Sequence, residues 1–132
     1  MTVFVDTSAL YALLDRSDAN HKRAVSVWVD FLKSDERLIT SNYVLVESFA
    51  LTQSRLGIAA VRLLDEDIMP VIHVHFVNRE IHRPSISAVL SAGRHNLSLV
   101  DCVSFEMMRT LGIKTAFTFD SHFKEQGFEV LP

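Results

Sequence analysis

The chain has 132 residues, 48% of them hydrophobic and 22% charged, a globular balance that excludes a disordered polypeptide. Its formal net charge of -3 weighs against a protein that grips nucleic acid by bulk positive charge. Local basic strips remain available in Arg16, Lys22 and Arg23, and in Arg79, Arg83 and Arg94.

One domain over residues 1–132 is expected from the length. No apolar run reaches the roughly 18 residues that a membrane span needs. Asp6 interrupts the N-terminus before the apolar core of a secretion signal could form. Cys102 is the only cysteine, so no internal disulfide can form, which fits a reducing, cytoplasmic setting.

In chain order, Val3-Phe4-Val5 reads as a short strand covered on both faces, and Ser8 to Leu14 as a brief helix. Asp18 looks like the cap of a second helix running to about Lys33, with Ala24, Val25, Trp28, Phe31 and Leu32 at helical spacing. Leu38-Ile39-Thr40 is a second strand. Ser41-Asn42 then starts a helix from Tyr43 to Arg55 that Gly57 closes. A further helix spans Ala59 to Glu66 and ends ahead of Pro70; Val71 to Val74 is a third strand. Helices follow at Arg79 to Ala92, stopped by Gly93, and at Leu99 to Leu111, capped by Ser98 and stopped by Gly112. Ala116-Phe117-Thr118 and Phe128-Glu129-Val130 complete the strands. Short apolar strands separated by helices require crossover connections. The expected fold is therefore α/β, a mostly parallel sheet of about five strands with helices on both faces.

In such sheets, sites form beyond the carboxyl ends of the strands. Asp6 follows the first strand directly and Asp120 follows the fourth, so neighbouring strands would set two carboxylates across one crevice. Glu47 lies mid-helix among Val44, Val46, Ala50 and Leu51, an odd place for an acid. Asp101 sits in the first turn of its helix. Each acid also has an ordinary explanation. Asp6 can cap a helix, the Ser98-x-x-Asp101 start resembles a capping box, Glu47 can pair with an arginine, and Asp120 can open a turn. Together they ask for a cation, because like charges at such range repel strongly. Hard oxygen donors without accompanying cysteine point to Mg²⁺, or Mn²⁺, and to phosphodiester chemistry.

Four ordered segments carry a family likeness: V-F-V-D-T-S-A-L at Val3 to Leu10, V-L-V-E at Val44 to Glu47, L-S-L-V-D-C-V-S-F at Leu97 to Phe105, and T-F-D-S-H-F at Thr118 to Phe123. Across nearly its whole length the chain resembles the PIN-domain nucleases, and within them the VapC-type toxins of toxin–antitoxin systems. The resemblance implies a three-layer PIN-like fold and a metal-dependent endoribonuclease with the acidic quartet Asp6, Glu47, Asp101 and Asp120. Asp6 and Asp101 would be direct metal ligands, while Glu47 and Asp120 would complete the site directly or through water. Thr7, Ser8, Ser104 and His122 would orient these groups. It further implies attack by a metal-activated water to leave a 5′-phosphate and a 3′-hydroxyl, a homodimer, and an antitoxin partner lying along the active-site groove.

Other residues have plainer readings. His73 and His75 share a strand face without an evident third ligand for zinc. His122 is read as bonding its own turn or packing with Phe123, with proton transfer as the alternative. His21, His82 and His95 read as surface residues, and Phe117, Phe119 and Phe123 as core. Rival functions are a housekeeping PIN nuclease without an antitoxin, a non-cleaving PIN-like module that binds RNA or protein, and a receiver-type signalling domain. The last fits poorly: it wants a paired acid after the first strand and an acceptor Asp after the third, where this chain has His75-Phe76.

Overall fold

A computed structural model describes all residues from Met1 to Pro132. Five strands form one parallel sheet in the order β3-β2-β1-β4-β5. They are β1 (Thr2–Val5), β2 (Arg37–Ser41), β3 (His73–His75), β4 (Thr115–Phe117) and β5 (Glu129–Leu131). Val3, Phe4 and Val5 are wholly buried, as a central strand packed from both sides requires. The chain adds strands outward on one side of β1 and then returns to its other side with β4. The order of the sheet therefore reverses at the β1–β4 join, where open α/β sheets form their crevice.

Register shows how both faces are covered. Phe4 lies beside Ala116 and Val5 beside Phe117, so Phe4 and Phe117 point to opposite faces. Phe31 of α2 (His21–Lys33) meets Phe117 edge-on at 5.4 Å. On the other face Phe123 of α7 (Ser121–Glu125) lies 6.5 Å from Phe4 and 4.9 Å from Phe105 of α6 (Leu99–Leu111). Helix, sheet and helix make three layers, as expected.

The remaining helices are α1 (Thr7–Leu14), α3 (Asn42–Leu56), α4 (Ile58–Leu63) and α5 (Arg79–Ala92). Gly57 joins α3 to α4 at φ 89°, ψ -176°, backbone open to glycine and strained for other residues. Three boundaries differ from the sequence reading by more than one residue. Asp18 does not cap α2. Its carboxylate accepts from Asn20 N at 2.8 Å in the preceding turn, and the helix begins at His21 with Asn20 as N-cap. The helix expected to end at Glu66 instead widens into a π turn over Leu64–Ile68, which buries Leu64 and Ile68. Pro70 lies within a 3₁₀ turn (Met69–Val71), so β3 starts at His73 rather than Val71. The short helix α7 has no counterpart in the sequence reading; five residues are too few to show a period.

His21, read from sequence as a surface residue, is half-buried, and its Nδ1 lies 2.7 Å from Ala12 O, tying α2 to α1. Phe119 is only partly buried and carries the Arg23 guanidinium on its ring at 5.4 Å.

Phe123 links β1, α6 and α7 beneath the crevice. Phe123→Ala should lower the unfolding free energy by about 3–5 kcal/mol, read as a shifted midpoint in urea denaturation.

Candidate metal centre

Asp6 leaves β1 and caps α1. Its backbone N–H still belongs to the sheet, donating to Phe117 O at 3.0 Å, while its carboxylate turns into the crevice. One carboxylate oxygen, Oδ2, accepts from Ser8 Oγ at 2.7 Å and from Thr118 Oγ1 at 2.9 Å. Ser8 Oγ also accepts from Phe119 N at 2.9 Å, and Thr118 Oγ1 from Asp120 N at 3.0 Å. These two hydroxyls stitch the start of α1 to the end of β4. No protein group bonds Asp6 Oδ1.

The other aspartates follow the same plan. Asp101 forms the capping box of α6, its Oδ2 accepting from Ser98 N at 3.0 Å while Ser98 Oγ accepts from Asp101 N at 3.1 Å. Asp120 caps α7 through Oδ1, which accepts from His122 N at 2.9 Å and lies 2.8 Å from His122 Nδ1. In both residues the second oxygen has no bonding partner. Each aspartate is thus anchored by one oxygen and free at the other, so the capping role and a ligand role coexist.

Ligand atoms of Asp101, Asp120 and His122 lie within 4.8 Å of one another. At that range two carboxylates repel by about 3–4 kcal/mol with an effective dielectric near 20. Burial pushes the Asp6 carboxyl from 3.8 up to about 6, against the opposing Ser8 and Thr118 bonds, and the charges of Asp101 and Asp120 add to the rise. Burial also raises Asp101, helped by Asp120 and Glu47 and opposed by its bonds from Ser98. The four acids therefore form one electrostatic cluster. Glu47, half-buried on α3, has no ion pair or hydrogen bond, so no arginine neutralises it. Unpartnered, mutually repelling oxygen donors are the set that suits a hard divalent cation such as Mg²⁺.

His122 is nearly buried, with Arg94 Nη2 3.1 Å from its Nε2. Arginine only donates, so Nε2 accepts and a neutral ring carries its proton on Nδ1, facing Asp120. Arg94 in turn pairs with Glu125 at 3.3 Å. Two further expected supporting residues bond no acid directly. Thr7 Oγ1 accepts from Ser48 Oγ at 3.3 Å, holding α3 and its Glu47 against α1. Ser104 Oγ donates back to Val100 O at 2.8 Å rather than to an acid. Thr118 went unread as a site residue; a hydroxyl at a buried strand end, two positions before an acid, was the available signal. His73 and His75 gain no third ligand.

Beside the acids, Thr118 and Asp120 help line a cavity of about 230 Å³ that Arg23 and Lys124 border. Cations next to an acidic cluster suit a polyanion whose phosphate approaches a bound metal.

The PIN domain signature matches residues 3–129. The chain belongs to the PIN-domain family. It is of the VapC type: it is 34% identical over 132 residues, 98% of each chain, to the 23S rRNA-specific endonuclease VapC20 of Mycobacterium tuberculosis, strains CDC 1551 and H37Rv. The crystal structure of that VapC20, described as a sarcin–ricin-loop-cleaving toxin, superposes with a TM-score of 0.83 at 32% identity, covering 98% of this chain and 99% of that one. FitAcB from Neisseria gonorrhoeae shares the fold, with a TM-score of 0.70 at 16% identity over 100% of this chain and 97% of that one. These matches place the chain among nucleases that act on phosphodiester bonds.

The Asp6 shift has a stability consequence. Between about pH 4 and pH 6 the unfolded chain loses this proton while the folded PIN domain keeps it, so stability falls as pH rises through that window and levels off above it. The full shift corresponds to about 3 kcal/mol. In chelator, Asp6→Asn should melt above the wild type at pH 7.5, with the gap closing near pH 4. A variant no more stable than wild type at pH 7.5 would contradict the buried, repelled carboxylate.

Proposed function

We propose that this PIN domain is a Mg²⁺-dependent endoribonuclease, the toxin of a toxin–antitoxin pair, and that it cuts 23S ribosomal RNA at the sarcin–ricin hairpin. The observation that carries the catalytic reading is the set of aspartate oxygens left unbonded in one crevice. The choice of RNA follows the near full-length similarity to VapC20, named for 23S rRNA.

In this reading Asp6 and Asp101 hold the metal, Glu47 and Asp120 complete the site, and Mn²⁺ can replace Mg²⁺. The ion, when bound, supplies positive charge and Lewis acidity toward the phosphate. The protein's part is positional. Ser8 and Thr118 clamp one oxygen of Asp6, the capping box fixes Asp101, and the backbone N–H of His122 fixes Asp120, with the ring that Arg94 orients close beside it. Arg23 and Lys124 face the phosphodiester backbone beside the acids. A hairpin loop exposes unpaired nucleotides, which suits a crevice that reads single-stranded RNA. The products would carry a 5′-phosphate and a 3′-hydroxyl. The protein would act as a homodimer in the cytoplasm, held inactive by a cognate antitoxin along the crevice. No helix is long and apolar enough to cross a membrane.

Purified protein should cleave 23S rRNA within that hairpin, mapped by primer extension, only when Mg²⁺ or Mn²⁺ is present. Asp6→Asn and Asp101→Asn should each lose at least a hundredfold in rate while keeping the folded circular dichroism spectrum. Undiminished cleavage by both folded variants would overturn the assignment. Induced expression should halt growth, and the Asp6→Asn chain should not; cleavage without arrest would favour a housekeeping nuclease.

A further inference from the structure

A second cavity, of about 590 Å³, is lined by Tyr43, Val77, Asn78, Arg79, His82 and Arg83. Tyr43 stands two residues beyond the end of β2, and Val77 and Asn78 shortly beyond the end of β3. The cavity therefore belongs to the same carboxyl edge of the sheet as the acids, which follow β1 and β4. Strands about 4.8 Å apart put β3 roughly 10–15 Å along that edge from β1 and β4.

Its lining gathers two guanidinium groups. Arg79 and Arg83 lie one turn apart on α5, and neither has an ion pair or a side-chain hydrogen bond. Arg62, Arg94 and Arg109, by contrast, are engaged by Glu66, Glu125 and Gln126. Glu80 lies between the two arginines in sequence but lines no part of the cavity. Tyr43 is held in place: its hydroxyl lies 2.7 Å from His82 Nδ1, and the rings meet edge-on at 5.8 Å. His82, read from sequence as a surface residue, is half-buried and engaged by this bond. Phe76, next to Val77, is 70% exposed. Unpaired guanidiniums offer a planar fork to phosphate oxygens, and an exposed aromatic ring offers a stacking face to an unpaired base.

We propose that this cavity is a second contact for the substrate: Arg79 and Arg83 bind the phosphodiester backbone of single-stranded nucleotides flanking the cleavage point, and Phe76 stacks against one of their bases. The inference rests on the reading of RNA as substrate. Its placement would hold the strand at two points of one edge, fixing which phosphate reaches the acids.

The test measures binding of a sarcin–ricin hairpin RNA to the full-length protein in EDTA, where no cutting occurs, across a series of salt concentrations. Loss of two phosphate contacts on a single strand should flatten the log–log salt dependence by about 1.4 in Arg79→Ala/Arg83→Ala. Affinity at low salt should fall at least tenfold, and Arg79→Lys/Arg83→Lys should recover most of the slope because the charge remains. Both arginines are exposed, so melting temperatures should stay near wild type. Unchanged slope and affinity in the alanine variant would overturn the proposal. So would a changed oligomeric state by light scattering with RNA binding intact, which would make the cavity a protein interface. Failure of the wild type to bind the RNA would overturn it as well. If the wild type binds but cuts no RNA with Mg²⁺, the nuclease reading fails and the slope comparison still decides the cavity.

Discussion

Asp6 is only 4% exposed and stands at the join of β1 and β4, where the order of the sheet reverses. Ionising a carboxyl there is costly because water cannot solvate it and two acids lie nearby. The two hydroxyls that bond it offset part of that cost, but burial wins and the group stays hard to ionise. The structure thus carries a local destabilisation that a divalent cation would relieve. That tension organises the rest of the crevice: Ser8 and Thr118 exist as a pair because one oxygen must be held still, and β4 must lie beside β1 for Thr118 to reach it.

Helix capping is the device that aims the other acids. A capping carboxylate spends one oxygen on backbone N–H groups at the helix start, which locks its rotamer and leaves the second oxygen pointing away from the helix. Asp6, Asp101 and Asp120 all use it, on α1, α6 and α7. The positive ends of these helices also lower the cost of gathering negative charge. Glu47 is the exception, reaching in from the body of α3 without an anchor of its own. It depends instead on the packing of α3 against α1, where Ser48 meets Thr7.

Much of this was legible from residue order. The apolar triplets of β1, β2 and β4, the glycine stops of α5 and α6, and the acids at strand ends are local signals that burial and backbone geometry enforce. The start of α2 was misread because Asp18 has cap chemistry but uses it within a turn, and the sequence offers no sign that the helix waits for His21. The π turn after α4 was hidden for a tertiary reason: an extra residue in the turn puts Leu64 and Ile68 into the core, and only the packed structure rewards that. Ser104 shows the limit of pattern transfer, since a serine one turn after Asp101 is equally able to bond its own helix, and does. Arg94 appeared only as a basic residue, because its bond to His122 joins positions far apart in sequence.

The net charge of -3 then has a physical use. A nuclease with a broadly basic surface would bind any RNA through counterion release, and its few acids would meet many wrong phosphates. Here four of the cations without an ion pair line cavities at the carboxyl edge of the sheet: Arg23 and Lys124 beside the acids, and Arg79 and Arg83 further along. The acids lie beside the first pair, and their carboxylates repel a phosphate wherever no metal intervenes. On the proposed reading, a strand would settle only where its phosphates fall on these cations while another meets the metal, and that geometric demand would select for shape more than for base sequence. A compact hairpin loop with sharply turned backbone would meet such a demand better than an extended strand with evenly spaced phosphates.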